Sequence, residues 1–217
     1  MQLVTAAEMQ KIDNYTIETI GISQNVLIER AALSVIDVIG AGHYNLEHIL
    51  VLAGLGNNGA DGTAIARLLY TQGFNVSLQF VGNLSKAKDS VQKQLNIIEN
   101  YGLVRAEKSD FNEATLIIDA IFGVGLNNTL PEGLQKMIKA ANHIEKTVIA
   151  VDVPTGIDAT TGEVRGAALK AHTTVTFGYN KVGLTQGTGS HLAGTVIVKD
   201  IGLCLPPDII FSNESTK

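Results

Sequence analysis

The chain contains one cysteine, Cys204. No disulfide can form within it, which fits a reducing compartment. It also lacks a basic excess. Its 16 lysines and arginines face 21 aspartates and glutamates, giving a net charge of −5. That balance argues against a general nucleic-acid binder, because no surplus of cations is available to displace counterions from phosphates. A nucleotide-sized ligand stays open, since backbone N–H groups can hold one. The opening MQLVTAAEMQKID has no basic segment followed by an apolar stretch, so no secretory signal is expected. No apolar run approaches the roughly 20 residues of a membrane span. The five histidines do not cluster, and with a single cysteine zinc is disfavoured. The P-loop pattern G-x-x-x-x-G-K-[ST] is missing. We expect a soluble, cytoplasmic protein with neither membrane nor nucleic-acid partners.

What is present indicates an α/β fold. The length of 217 residues and 45% hydrophobic content suffice for a sizeable core. Thr5 and Glu8 fit a capping box that opens a first helix. After Ser23, the residues Ile28, Ala31, Ala32, Val35, Ile36 and Ile39 share one helical face. Six β-branched runs follow, at 49–54, 75–82, 114–123, 147–154, 173–178 and 194–202. The first four alternate with helix-like stretches, including 85–102 and 131–143. Strands that are apolar throughout and alternate with helices predict a mostly parallel sheet covered on both faces. The last two runs lie close together and are expected to form an antiparallel edge or a crossover without a helix. With no linker or repeat, residues 1–217 read as a single domain. The final LPPDIIFSNESTK reads as a polar tail.

Glycine supplies 22 residues, above the roughly 7% average. They gather after predicted strands, at 54–62, 123–125, 156–166 and 178–194. In open α/β sheets, ligands bind beyond the carboxyl ends of the strands, so these loops should meet in one crevice. The first loop, GLGNNGADG, formally matches G-x-G-x-x-G. The acidic residue expected about 20 positions later is missing, because the second strand ends LQFVGNL. The polar side chains of Asn57, Asn58 and Asp61 therefore stand out, with Asp61 alternatively a helix N-cap. Asp119 and Asp152 each end an apolar strand, where a carboxylate is costly unless paired or solvated. GVGLNNT after the first offers free amides, and Pro154 and Gly156 force a turn after the second. Asn58, Asp119 and Thr155 supply an amide oxygen, a carboxylate and a hydroxyl. That set is too weakly charged for a calcium cage but suits a loosely held monovalent cation. Lys170, Lys181 and Glu29 read as surface or capping charges.

Several separated motifs together resemble the YjeF N-terminal domain family. They are GLGNNGADG, DAIFGVGL, VDVPTGIDATTGEV, TVTFGYNKVGL and GTVIVKDIGL, in that order, preceded by AAEMQKIDNYTIETIGISQNVLIERAA. The resemblance implies a Rossmann-like three-layer αβα sandwich with two N-terminal helices, usually a homodimer. It implies NAD(P)HX epimerase activity, an isomerisation that interconverts the R and S forms of hydrated NADH and NADPH (NADHX and NADPHX) at C6 of the nicotinamide ring. A separate NAD(P)HX dehydratase then acts on the S form; no fused dehydratase domain is expected in this chain. By motif, Asn58, Asp119 and Thr155 would bind one K+ per subunit. Asn57, Asn58, Gly59, Ala60, Asp61, Gly123, Val124, Gly125, Leu126, Asn127, Asn128, Thr129 and Asp152 would line the substrate site, with Asp152 as the catalytic group. Two residues depart from the family pattern: Ala60 replaces a glycine and Thr155 a serine. If position 60 needs positive φ, alanine there costs of order 1 kcal/mol. The competing readings are a non-catalytic YjeF-like nucleotide- or RNA-binding scaffold module and a Rossmann dehydrogenase, the latter disfavoured by the missing ribose carboxylate.

Overall fold

The computed structural model describes residues 2–107 and 110–209. In chain order its elements are β1 (Leu3–Val4), α1 (Ala6–Asn14), α2 (Gln24–Ala41), β2 (Ile49–Ala53), α3 (Asn57–Thr71), β3 (Val76–Phe80), α4 (Asp89–Tyr101), β4 (Leu116–Ala120), α5 (Glu132–His143), β5 (Thr147–Val151), β6 (Thr173–Phe177), β7 (Asn180–Lys181), α6 (Gly187–Leu192) and β8 (Thr195–Lys199). The expected capping box forms. Thr5 Oγ1 accepts Glu8 N–H at 3.2 Å and Glu8 Oε2 accepts Thr5 N–H at 2.7 Å. Two orphan amides of α1 are thereby satisfied. A π-helical turn, Tyr15–Thr19, extends α1.

The main sheet runs β3-β2-β4-β5-β6-β8, and every neighbouring pair is parallel. Side chains alternate faces along each strand. Ile49, Val51, Ala53, Ile118 and Val151 meet α2, α3 and α4 on one side. Leu50, Leu52, Ile117 and Val148 meet Leu134 and Met137 of α5 on the other. That two-sided burial is why β2 and β4 are apolar at nearly every position.

Two expectations need correction. β6 and β8 pair parallel, not antiparallel, and the short helix α6 lies between them. The helix-free crossover is the earlier one, between β5 and β6. It is pinned by an antiparallel bridge, Ile157↔Val164. The start of the supposed tail is packed: Leu205 and Ile209 lie against Met9 and Ile12 of α1, and Lys11 pairs with Asp208. Residues 210–217 of that reading lie outside the described residues.

The chain goes from β2 outward to β3, then returns to place β4 on the opposite side of β2. This reversal creates a topological switch point, with a crevice between the carboxyl ends of β2 and β4. The loops after β2, β4, β5 and β6 all open there.

Candidate active site

The glycine turn after β2 is shorter than the motif suggests. Helix α3 already begins at Asn57, with Gly56 as its N-cap. Asn57 to Asp61 therefore form its first turn, where free amides and the positive end of the helix dipole favour anions. Asp61 is inside the helix and is not its cap. Gly59 is required by packing: a Cβ there would fall 1.9 Å from the carbonyl oxygen of Gly54. A Cβ on Gly62 would meet that of Ala120 at 2.4 Å, so this glycine lets α3 approach β4. Ala60 has helical geometry and does not have positive φ. Its side chain is fully buried in the core under α2 and α3.

Asp119 ends β4 with no exposed surface. Its Oδ2 accepts Thr155 N–H at 2.7 Å, and its Oδ1 accepts the Thr155 hydroxyl at 2.7 Å and Ile121 N–H at 3.3 Å. Thr155 Oγ1 in turn accepts Phe122 N–H at 3.0 Å. Burial pushes the Asp119 carboxyl up to about 6, and the Thr155 and Ile121 hydrogen bonds partly oppose it. Asn58 is also buried, and among the described residues neither its amide oxygen nor its nitrogen has a hydrogen-bond partner. A buried amide left unsatisfied costs about 1–3 kcal/mol, which a ligand would recover. These donors suit a hard monovalent cation, since Asn58 has a free oxygen and Asp119 retains lone-pair capacity. Among the described residues no group of three or more His, Cys, Asp or Glu is arranged to hold a metal. Any cation here would therefore rest on Asp119, Asn58 and Thr155, with one carboxylate between them.

Asp152 follows β5 in the left-handed region, at φ 67°. For a residue other than glycine this conformation costs of order 1 kcal/mol, and such strain concentrates at functional positions. Its Oδ2 accepts Val124 N–H at 3.2 Å. Its Oδ1 lies 2.7 Å from Lys181 Nζ. Lys181 has no exposed surface. It also donates to Thr176 Oγ1 at 2.8 Å and to the Phe177 carbonyl at 2.9 Å, so its ammonium is fully satisfied. Gly123 completes the contact: a Cβ there would fall 2.7 Å from Asp152 Oδ2 and 3.4 Å from Asn58 Oδ1.

Two further carboxyls reach this centre. β1 pairs with β7, aligning Val4 with Lys181, while Met9 and Ile12 of α1 pack against Val124 and Tyr179. Asp13, next on α1, is raised to about 7, first by burial and then by the charge of Asp152, with Lys181 opposing. Burial, followed by the charges of Asp152 and Asp13, holds the Asp61 carboxyl well above the usual range. The crevice thus gathers Asp13, Asp61, Asp152 and Lys181. One cation among three carboxyls favours retention of a proton in the cluster.

The structure brings together Asn58, Asp61, Gly123, Val124 and Asp152, and places Asp119 with Thr155 beside them. Other expected contacts point elsewhere. Asn57 is exposed and accepts the Ser90 hydroxyl of α4 at 3.2 Å. Leu126 is packed with Leu130 and Ile138, so, like Ala60, it can offer a ligand only backbone. Gly125, Asn127, Asn128 and Thr129 are exposed on the rim. Sequence reasoning gave Lys181 as a surface or capping charge; it is instead fully buried, as Asp119 is. A signal was available, because Lys181 is the only Asp, Glu, Lys or Arg between Lys170 and Lys199. Asp13 carried none. Glu29 was read as an exposed charge and forms an ion pair with Arg67.

The family profile described as YjeF-related protein N-terminus matches residues 24–183. A Leuconostoc citreum (strain KM20) protein named NAD(P)H-hydrate epimerase is 87% identical over 212 residues, covering 98% of this chain and 96% of that protein. A Weissella koreensis (strain KACC 15510) protein of the same name is 48% identical over 215 residues, covering 99% and 97%. Among solved structures, yeast ynu0, YNL200c, superimposes with a TM-score of 0.76 at 20% identity, over 92% of this chain and 88% of that one. At that identity the likeness concerns the fold alone.

Proposed function

Because the chain belongs to the YjeF-related N-terminal family, we propose that it is an NAD(P)H-hydrate epimerase, an isomerase of nicotinamide-nucleotide repair. The name shared by its close relatives carries this reading, and the Asp152–Lys181 pair supplies a mechanism. The substrates are NADHX and NADPHX, hydrated at C6 of the nicotinamide ring. C6 carries a hydroxyl and is bonded to N1, so it is a hemiaminal carbon. The nitrogen lone pair expels the hydroxyl and leaves a planar iminium; water then adds to either face.

The protein must protonate the departing hydroxyl and deprotonate the returning water. Asp152, ion-paired with Lys181, is the proton acceptor. A carboxyl raised to about 7, such as Asp13, is suited to donate. The amides at the start of α3 face the pyrophosphate. Asn58, Asp119 and Thr155 would hold one potassium ion per subunit, which when bound supplies positive charge to the strand-end loops. The S product is consumed by a separate dehydratase. We read the enzyme as cytoplasmic, and no helix among the described residues is long and apolar enough to cross a membrane. We read it also as a homodimer, because α2 leaves Val26 and Leu33 exposed, apolar surface that a second copy would cover.

The test begins with pure R-NADHX. Appearance of the S form is followed by chromatography and the spontaneous rate is subtracted. Turnover well above that rate is expected; none would favour the binding-module reading. Anomalous scattering after rubidium or thallium soaks should place an ion at Asn58, Asp119 and Thr155, and density elsewhere would refute that assignment.

A further inference from the structure

One cleft lies away from the carboxylates. It is about 490 Å³ and sits at the carboxyl end of the edge strand β3, walled by Phe80, Gly82, Leu84, Val104, Arg105 and Glu107. Its outer wall is built by a segment that joins the sheet. Leu78 and Arg105 form a parallel bridge, and Ala106 N–H donates to the Leu78 carbonyl at 2.8 Å. Residues two apart in such an extended segment share a face, so Arg105 and Glu107 present together. Val104 is 82% exposed, and the fold gives it no partner to match its apolar surface. The cleft adjoins the glycine turn, because a Cβ on Gly82 would come 2.8 Å from Leu55 Cδ1.

Strand order sets the distance to the chemistry. From β5, where Asp152 lies, the sheet passes β4 and β2 to reach β3. At about 4.8 Å per strand, three spacings give about 14 Å. An extended dinucleotide spans such a gap. With the nicotinamide at Asp152 and the pyrophosphate over the first turn of α3, its adenosine arrives at β3. Phe80 and Val104 offer apolar surface to a purine. The carboxylate missing from the end of β3 in the G-x-G-x-x-G reading is delivered there by Glu107, from a different segment. In dinucleotide sites a carboxylate accepts the ribose 2′-hydroxyl, and an arginine accommodates a 2′-phosphate. Arg105 can be recruited, since among the described residues its ion pair is to exposed Glu99, at 3.9 Å, and such surface pairs contribute little.

We propose that this cleft is the adenosine subsite of the hydrated dinucleotide, and that Arg105 and Glu107 set the relative use of NADPHX and NADHX. The inference rests on the epimerase reading for its substrate. The experiment measures KM and kcat for both substrates in the wild type, Arg105→Gln and Glu107→Gln. Both side chains are on the surface, so neither change threatens folding. Arg105→Gln should raise KM for NADPHX about tenfold, with KM for NADHX and both kcat values unchanged. Glu107→Gln should raise KM for NADHX and lower it for NADPHX. An unchanged KM ratio in both variants would overturn the proposal. Calorimetry with adenosine 2′,5′-bisphosphate separates this inference from the one it rests on. Binding that Arg105→Gln weakens about tenfold, in a protein that turns over neither substrate, would remove the epimerase reading and keep the subsite. No binding to the wild type would remove the subsite even if turnover is normal.

Discussion

Asp119 and Asp152 follow the same sequence pattern and sit in different surroundings. Each stands at the end of an apolar parallel strand, and the two strands are neighbours. Asp119 accepts from neutral donors, the Thr155 and Ile121 backbone amides and the Thr155 hydroxyl. Nothing charged compensates its burial, so its carboxyl is raised to about 6. Asp152 has a buried ammonium on one oxygen and a backbone amide on the other. Its backbone is held in a left-handed conformation that aims it into the crevice. An acidic residue at a strand end thus marks the crevice, while its partners decide whether its burial is compensated by a charge.

The sharpest way to break this contrast is Asp152→Asn. Asparagine tolerates the left-handed conformation and preserves size. General acid–base help is typically about 10² to 10⁴-fold, so turnover of R-NADHX should fall on that scale with the fold retained. Near-wild-type turnover would remove Asp152 from the mechanism.

Lys181→Met should be the most damaging to stability. It leaves the Asp152 carboxylate without its charge partner, and breaking a buried pair costs about 3–5 kcal/mol. Denaturant unfolding would measure this. Adding Asp152→Asn to Lys181→Met should recover part of the loss; a double-variant loss equal to the sum of the two single losses would mean that the pair is not coupled.

The Asp119 side of the comparison predicts a pH effect. Below pH 3.8 folded and unfolded states both hold the proton, and above about 6 neither does. Between those values the folded state binds more protons, so Asp119 makes stability fall as pH rises across the window, by up to about 3 kcal/mol. Asp13, raised to about 7, acts in the same direction up to that pH. In cation-free buffer, Asp119→Asn should flatten the part of the slope between pH 4 and 6. The hydroxyl of Thr155 can turn to donate elsewhere and accept from the new amide, so the substitution should fold. A slope unchanged by Asp119→Asn would show that this carboxyl titrates normally.

The smallest effect is expected at Ala60. It lies inside α3 and is buried, so Ala60→Gly should cost about 1 kcal/mol through helix propensity, a drop of about 2–4 °C in melting temperature. Activity should be unchanged. A stabilised Ala60→Gly protein would mean that the start of α3 is strained.

Strands β2 to β6 and the parallel arrangement of the early ones were legible because burial makes these runs largely apolar, a local property, whereas the two-residue strands β1 and β7 carried no such signal. The capping box of Thr5 and Glu8 was legible for the same reason, since both partners lie within one turn. The direction of β8 was not, because a short connection fits a hairpin as well as a crossover. The fate of residue 60 was not either: GLGNNGADG reads as a glycine loop, and only the packing of Gly59 on Gly54 and of Gly62 on Ala120 shows that the helix starts at Asn57.

By itself, the sequence determined which strand ends carry carboxylates and amides and that they meet in a crevice, because hydrophobic period and turn chemistry act over a few residues. Only the tertiary structure decided who faces whom there. It brought Lys181 to Asp152, Asp13 to both, and Glu107 to the end of β3. Burial energies depend on charges arriving from distant parts of the chain, and the order of strands in the sheet, which no local pattern encodes, sets those distances.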